Sequence, residues 1–171
     1  MDLETLLREQ QDSILEAWLN AVFELYPVEA WRFLKSSRDF YQNPLGHTLA
    51  SGLRGLYAEL LEGTDANKLA PLLDQVIRVL AVQELLPSQA LNFLFYLKRI
   101  VRTQAEKQGL SPQDPELLGF DNVVDQLLRL SFDIYVKCRE RIFQLKVEEQ
   151  TLQTEKLIQL ANSGFGALRK L

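Results

Sequence analysis

One cysteine, Cys138, and one histidine, His47, are all this 171-residue chain has of the two residue types most used for metal binding and nucleophilic chemistry. A lone thiol excludes an internal disulfide and fits a reducing compartment, so a cytoplasmic location is expected. The same two residues, far apart in sequence, cannot supply the three or four ligands of a zinc site. There is no GxSxG, P-loop, CxxC or GxGxxG pattern. Carboxylate pairs such as Glu148-Glu149 stand in polar stretches with no companion acid, base or metal set. No enzyme, catalytic residue, metal or cofactor is therefore expected.

Basic charge is also in short supply. The formal net charge is −4, and binding phosphate backbones needs a concentrated basic surface, so nucleic acid is not an expected partner. No apolar run approaches the ~20 residues that cross a bilayer, which excludes membrane insertion as a helix. The opening MDLETLLREQQD is acidic and amphipathic, without the basic and apolar regions of a secretory signal. From Asp121 to Ser163 there is neither proline nor glycine, so nothing in that stretch punctuates a helix.

What the chain does contain is helical periodicity. With 47% apolar and 25% charged residues it has an ordinary globular composition, and its length suits one domain with a real core. Leu3, Leu6, Leu7, Ile14, Trp18, Val22, Leu25 and Tyr26 recur at spacings of three and four, with a break or recap at Asp12 and Ser13 and an end at Pro27. A short helix with Trp31, Phe33 and Leu34 precedes the polar residues 35–39.

Asn43 is a favoured N-cap and Pro44 suits the first helical position, so "DFYQNPLGHTLASGL" reads as a helix start. The stripe Leu45, Leu49, Leu53, Leu56, Leu60 and Leu61 follows, and Gly63 stops it. Gly52 and Gly55, three apart, suit a close helix neighbour. His47 falls in the first turn, where the positive end of the helix dipole disfavours its protonated form. That is a poor place for a haem ligand, which needs a roomy apolar pocket, so a structural role is the expectation.

Val76, Ile77, Val79 and Val82 are β-branched, yet Leu72, Leu73, Val76, Ile77, Leu80 and Leu85 hold helical spacing for about four turns, with Pro71 placed to start that helix. A second helix begins near Pro87 and carries Leu91, Leu94, Phe95, Ile100 and Val101 as far as Gly109. The loop GLSPQDPE then breaks the chain. A long helix from about Asp121 holds Val124, Leu127, Leu128, Ile134, Tyr135, Cys138, Ile142 and Leu145 in phase. Past Leu145 the pattern thins to Val147, Leu152, Leu157, Ile158 and Leu160, which predicts a helix projecting from the body. The aromatic set Tyr26, Tyr41, Tyr57, Tyr96, Tyr135, Trp18 and Trp31 reads as core with polar tips at its edge.

Three stretches carry a resemblance: NPLGHTLASGL, VIRVLAVQELLPSQALNFLFYLKRIV and LSFDIYVKCRERIFQLKVEE. In order and spacing they are similar to the RsbRD N-terminal domain family, the sensory domains of RsbT co-antagonist proteins of bacterial stressosomes, over roughly residues 4 to 149. The resemblance implies an all-α, globin-like bundle that dimerises without haem. It also implies a helical linker to an output domain such as a STAS domain or histidine kinase. The 22 residues after Glu149 are too few for either output. The expected organisation is a sensory domain over 1–149 and a helical tail over 150–171.

The expected function is a non-enzymatic sensory or adaptor domain, a homodimer that relays a signal along its last helix to a protein partner. A haem-type globin-like sensor and a structural assembly subunit are the alternatives. Candidate partner or dimer residues are Lys137, Arg139, Arg141, Ile142, Leu145, Lys146, Leu152 and Leu157. The four cations alternate with Glu140, Glu148 and Glu149, which also suits a solvated ion-paired face. Cys138, flanked by Lys137 and Arg139, is a candidate redox residue if its neighbours lower the thiol pKa, and otherwise a small buried one.

Overall fold

The computed structural model describes residues 2–27, 29–30, 32, 43–63, 65–83 and 85–168. The expected core positions Trp31, Phe33, Leu34 and Tyr41 lie outside them. Among the described residues there is no strand, and the β-branched run around Val76 is helical. The elements are α1 (Leu3–Glu9), α2 (Gln11–Phe23), α3 (Pro44–Glu62), α4 (Ala66–Val82), α5 (Pro87–Ala90), α6 (Asn92–Lys107) and α7 (Pro115–Leu168).

Local chemistry sets most of their ends. The Asn43 side chain accepts from the Gly46 N–H at 2.9 Å, with Pro44 at the first helical position, as a cap and a preset φ require. A Cβ on residue 46 would collide with the Asn43 amide, so glycine there is what lets the cap side chain fold over the first turn. Gly63 at φ +148° and Gly109 at φ +82° take backbone conformations that L side chains rarely adopt, directly after α3 and α6.

Three boundaries differ from the sequence reading. The first apolar segment breaks at Gln10, not at Asp12-Ser13. The α4 helix starts at Ala66, capped by Asp65, whose carboxylate accepts from Asn67 N–H at 2.9 Å, and Pro71 sits inside it. Proline lacks the N–H that would bond the Asn67 carbonyl, so this costs one helical bond and not the helix. The last helix starts at Pro115 with Asp114 as its cap (Glu116 N–H to Asp114 Oδ1, 2.9 Å), six residues ahead of Asp121.

Packing closes the helices into a ring in which α2 touches α3, α3 touches α4, α4 touches α7, α7 touches α6 and α6 returns to α2; α1 rests on α2, α3 and α6. Gly52 and Gly55 explain how close α3 and α4 lie. A Cβ on residue 52 would stand 2.6 Å from Val76 Cγ2, and one on residue 55 would stand 2.8 Å from Leu72 Cδ2. The centre of the ring is filled by Trp18, Leu53, Leu56, Tyr57, Leu73, Ile77, Phe93 and Leu97. Two of the large buried side chains find backbone partners for their polar tips, whereas the buried Tyr26 and Ser131 hydroxyls have no hydrogen-bond partner among the described residues. Trp18 Nε1 donates to the Phe93 carbonyl at 2.6 Å, and the Tyr57 hydroxyl donates to the Leu7 carbonyl at 2.9 Å. Burial pushes the Tyr57 phenol well above its ordinary pKa and that of Tyr26 up to about 12, so both phenols stay neutral.

Candidate functional site

The α7 helix has two unlike halves. From Leu117 to Tyr135 one stripe, Leu117, Val124, Leu127, Ser131 and Tyr135, is buried against the ring. Arg102 pairs with Asp121 and Lys98 with Asp125 at 2.9 Å, so two charged contacts bind α7 to α6 along one edge. At the far end of the body the Tyr135 hydroxyl donates to the Leu85 carbonyl at 3.3 Å and Arg139 Nη1 donates to the Ala81 carbonyl at 2.9 Å. Ala81 is in the last turn of α4, where carbonyls lack helical partners and a cation is favoured. Past Ile142, which is partly buried, every residue from Phe143 to Ser163 is exposed. At a rise of about 1.5 Å per residue the whole helix is about 81 Å long, and the stretch from Phe143 to Leu168 spans roughly 39 Å of that.

On the body, α5, α6 and α7 border an open groove of about 800 Å³, lined by Pro87, Leu91, Phe95, Leu128, Phe132, Arg129 and Asp133. Phe95 is 49% and Phe132 51% exposed, large apolar surfaces to leave in water side by side. An adjoining cleft of about 400 Å³ shares Pro87 and Phe132 and adds Leu86, Val136 and Glu140, extending the apolar face toward the free half of α7.

On the opposite edge, between α4 and α7, lies a groove of about 690 Å³ that contains Asp74, Arg78, Lys137, Cys138 and Arg141. Burial pushes the Cys138 thiol up, with the Asp74 carboxylate acting the same way and Arg78 opposing. Lys137 and Arg139, its chain neighbours, are not among these causes, so the thiol is raised by its surroundings and not lowered by flanking cations.

The sequence-derived candidates therefore divide. Lys137, Arg141 and Cys138 belong to the α4–α7 groove, Arg139 caps α4, Ile142 closes the body, and Leu145, Lys146, Leu152 and Leu157 stand on the free helix. They do not form one surface. Phe132 and Phe143 were not singled out, and Phe95, expected in one apolar stripe with Leu91 and Leu94, is exposed instead because it stands one residue out of phase with the buried Leu94 and Leu97. His47 is exposed, with its N–H on the Asn43 carbonyl at 3.1 Å, outside all of these grooves. Replacing His47 by alanine is expected to change unfolding free energy by less than about 1.5 kcal/mol and to leave oligomeric state unchanged, measured by urea denaturation and sedimentation.

Among the described residues there is no cluster of His, Cys, Asp and Glu able to hold a metal ion, and no helix long and apolar enough to cross a membrane. Residues 12–150 match the family model described as the RsbT co-antagonist protein rsbRD N-terminal domain. The chain belongs to this family. No curated protein and no solved structure matches it. RsbRD N-terminal domains are stressosome-associated signalling domains, regulatory in role rather than catalytic. The matched residues run from α2 through the whole body and end eight residues past Ile142, so the RsbRD N-terminal domain includes both apolar clefts and the root of the free helix.

Proposed function

We propose that this RsbRD N-terminal domain works as a non-enzymatic, cytoplasmic homodimer that receives a signal in its helical body and relays it through α7 to a protein partner. The observation that carries the reading is the continuity of α7, one helix whose first half is part of the core and whose second half is free. A repacking of α7 against α4 or α6 must therefore move the free half as a lever. Helix shifts of an ångström or two between two packings are a common switching device. The bound and unbound signal states would differ in which packing they favour.

The open face formed by Phe95, Phe132, Leu128 and Pro87 supports pairing of two bodies. A two-fold contact brings the same patch of each copy together, and this patch is apolar at its centre with Arg129 and Asp133, of opposite sign, on one rim. Arg129 of one copy can then meet Asp133 of the other. The expected result is a dimer at tens of micromolar by sedimentation equilibrium. Phe95→Glu with Phe132→Glu should weaken it at least a hundredfold, since four buried rings are lost per dimer at about 1.5–3 kcal/mol each. A wild-type monomer overturns the reading; a dimer indifferent to the double variant moves the interface off this face.

A further inference from the structure

The free half of α7 is exposed all round, yet its chemistry is two-sided. Counting from Phe143, the residues at alternating steps of four and three are Phe143, Val147, Gln150, Thr154, Leu157 and Ala161. None is charged. In heptad letters abcdefg these are d, a, d, a, d, a, and the four charges between Lys146 and Ala161 all fall outside the stripe: Glu148 and Glu155 at b, Glu149 and Lys156 at c. Thr151 and Ile158 at e and Gln153 and Leu160 at g widen the uncharged strip. Phe143 is 68%, Val147 44% and Leu157 67% exposed, so the strip has no cover among the described residues. The repeat does not extend N-terminally through Glu140, but Val136, one heptad before Phe143, lines the cleft beside Phe132. The strip therefore starts where the apolar face of the body stops.

We infer that this strip is the seam of a parallel, in-register two-stranded coiled coil with α7 of a second copy, extending from Phe143 to Ala161. A repeat of 3.5 residues holds a helix seam in place only against a partner that supplies the same repeat, and a second copy does so. Two and a half heptads are short for an independent coiled coil, so the inference rests on the dimeric reading above: the bodies bring the helices together, and the seam continues the contact. In-register pairing sets Gln150 against Gln150 and Thr154 against Thr154. Polar seam layers of this kind fix register and strand number at a cost in stability, which leaves the pair able to shift when the bodies repack. A consequence for the candidate residues is that Leu145 and Leu152 both take f, the position farthest from the seam, and stay outward. They are not dimer contacts, and they remain available to a different protein.

Cysteine cross-linking of the full chain tests this. In a Cys138→Ser background, Thr154→Cys and Leu152→Cys are compared under a copper–phenanthroline oxidant, with sedimentation equilibrium run on each reduced protein. A disulfide needs Cα atoms within about 7 Å, a separation the a layer of a parallel pair meets and the f positions do not. Thr154→Cys is expected to form covalent dimer at least tenfold faster than Leu152→Cys. Dimers in which Leu152→Cys links as fast, or Thr154→Cys does not link, overturn the seam while the dimeric reading stands. Monomers at tens of micromolar overturn both.

Discussion

Trp18→Ala is expected to cost about 4 kcal/mol of unfolding free energy, within the range for deleting a buried aromatic side chain. Trp18 is fully buried on α2, and its ring stacks on Phe93 of α6 with centroids 6.3 Å apart and planes at 22°. Its indole N–H donates to the Phe93 carbonyl at 2.6 Å, so one side chain supplies both the apolar and the polar part of the α2–α6 contact. The loss has two parts that a second variant separates. Trp18→Phe keeps a ring against Phe93 and removes only the donor and some volume, and should cost about 1–2 kcal/mol. For a chain of this length, 4 kcal/mol lowers the melting temperature by about 8 to 16 °C. Urea denaturation followed by circular dichroism reads both variants. A cost below about 1.5 kcal/mol for Trp18→Ala would mean that the α2–α6 contact does not hold the ring of helices closed.

How much of this was legible in the sequence depends on how local the cause was. Asn43, Pro44 and Gly63 bound α3 as expected, because a cap, a preset φ and a positive φ act within one turn. The Gly52–Gly55 pair signalled a close neighbour, and Val76 and Leu72 of α4 are that neighbour. Pro71 misled because proline is better known for starting helices than for sitting inside them; Asp65 carried the true start. Asp12-Ser13 looked like a cap but lies within α2, whose preceding residue, Gln10, makes no side-chain cap bond at all. Reading GLSPQDPE as one loop absorbed Asp114 and Pro115, a cap and first-turn pair equivalent to Asn43-Pro44, and so shortened α7.

The site was harder to read than the fold. Apolar periodicity identifies the face of a helix that meets the core, but not which other residues find no cover. Phe95 and Phe132 are exposed because α5 and the start of α6 stand apart from α7 at that level, a tertiary fact with no local signature. Past Ile142 the helix has no core to face, so the apolar residues there obey a partner's geometry and appear in the sequence as a thinning pattern.

Arg102→Met should cost about 2–3 kcal/mol, and Arg102→Met combined with Asp121→Leu should cost less than Arg102→Met alone. Asp121 is 6% exposed, at the α6–α7 edge, and its Oδ2 accepts from both Arg102 Nε, at 2.8 Å, and Arg102 Nη2. Removing the arginine leaves a carboxylate with little water and no counter-charge, a change worth 3–5 kcal/mol or so when both partners are fully buried. Arg102 is itself 31% exposed, so solvent screens part of the interaction and the lower figure applies. Removing both charges and refilling the space with apolar groups eliminates the desolvation penalty along with the attraction, which is why the double variant recovers stability. Lys98–Asp125, on the same edge, is a control: with side chains 24% and 46% exposed, Lys98→Met should cost less than about 1 kcal/mol. Urea midpoints for the four proteins measure all of this, and a double variant less stable than Arg102→Met would show that Asp121 is not left as an uncompensated buried charge when the arginine is removed. The comparison bears on signalling as well as on stability. These two pairs fix the angle at which α7 crosses α6, so loosening the buried one should also shift the cross-linking rate at Thr154→Cys, about 50 Å farther along the same helix at ~1.5 Å per residue.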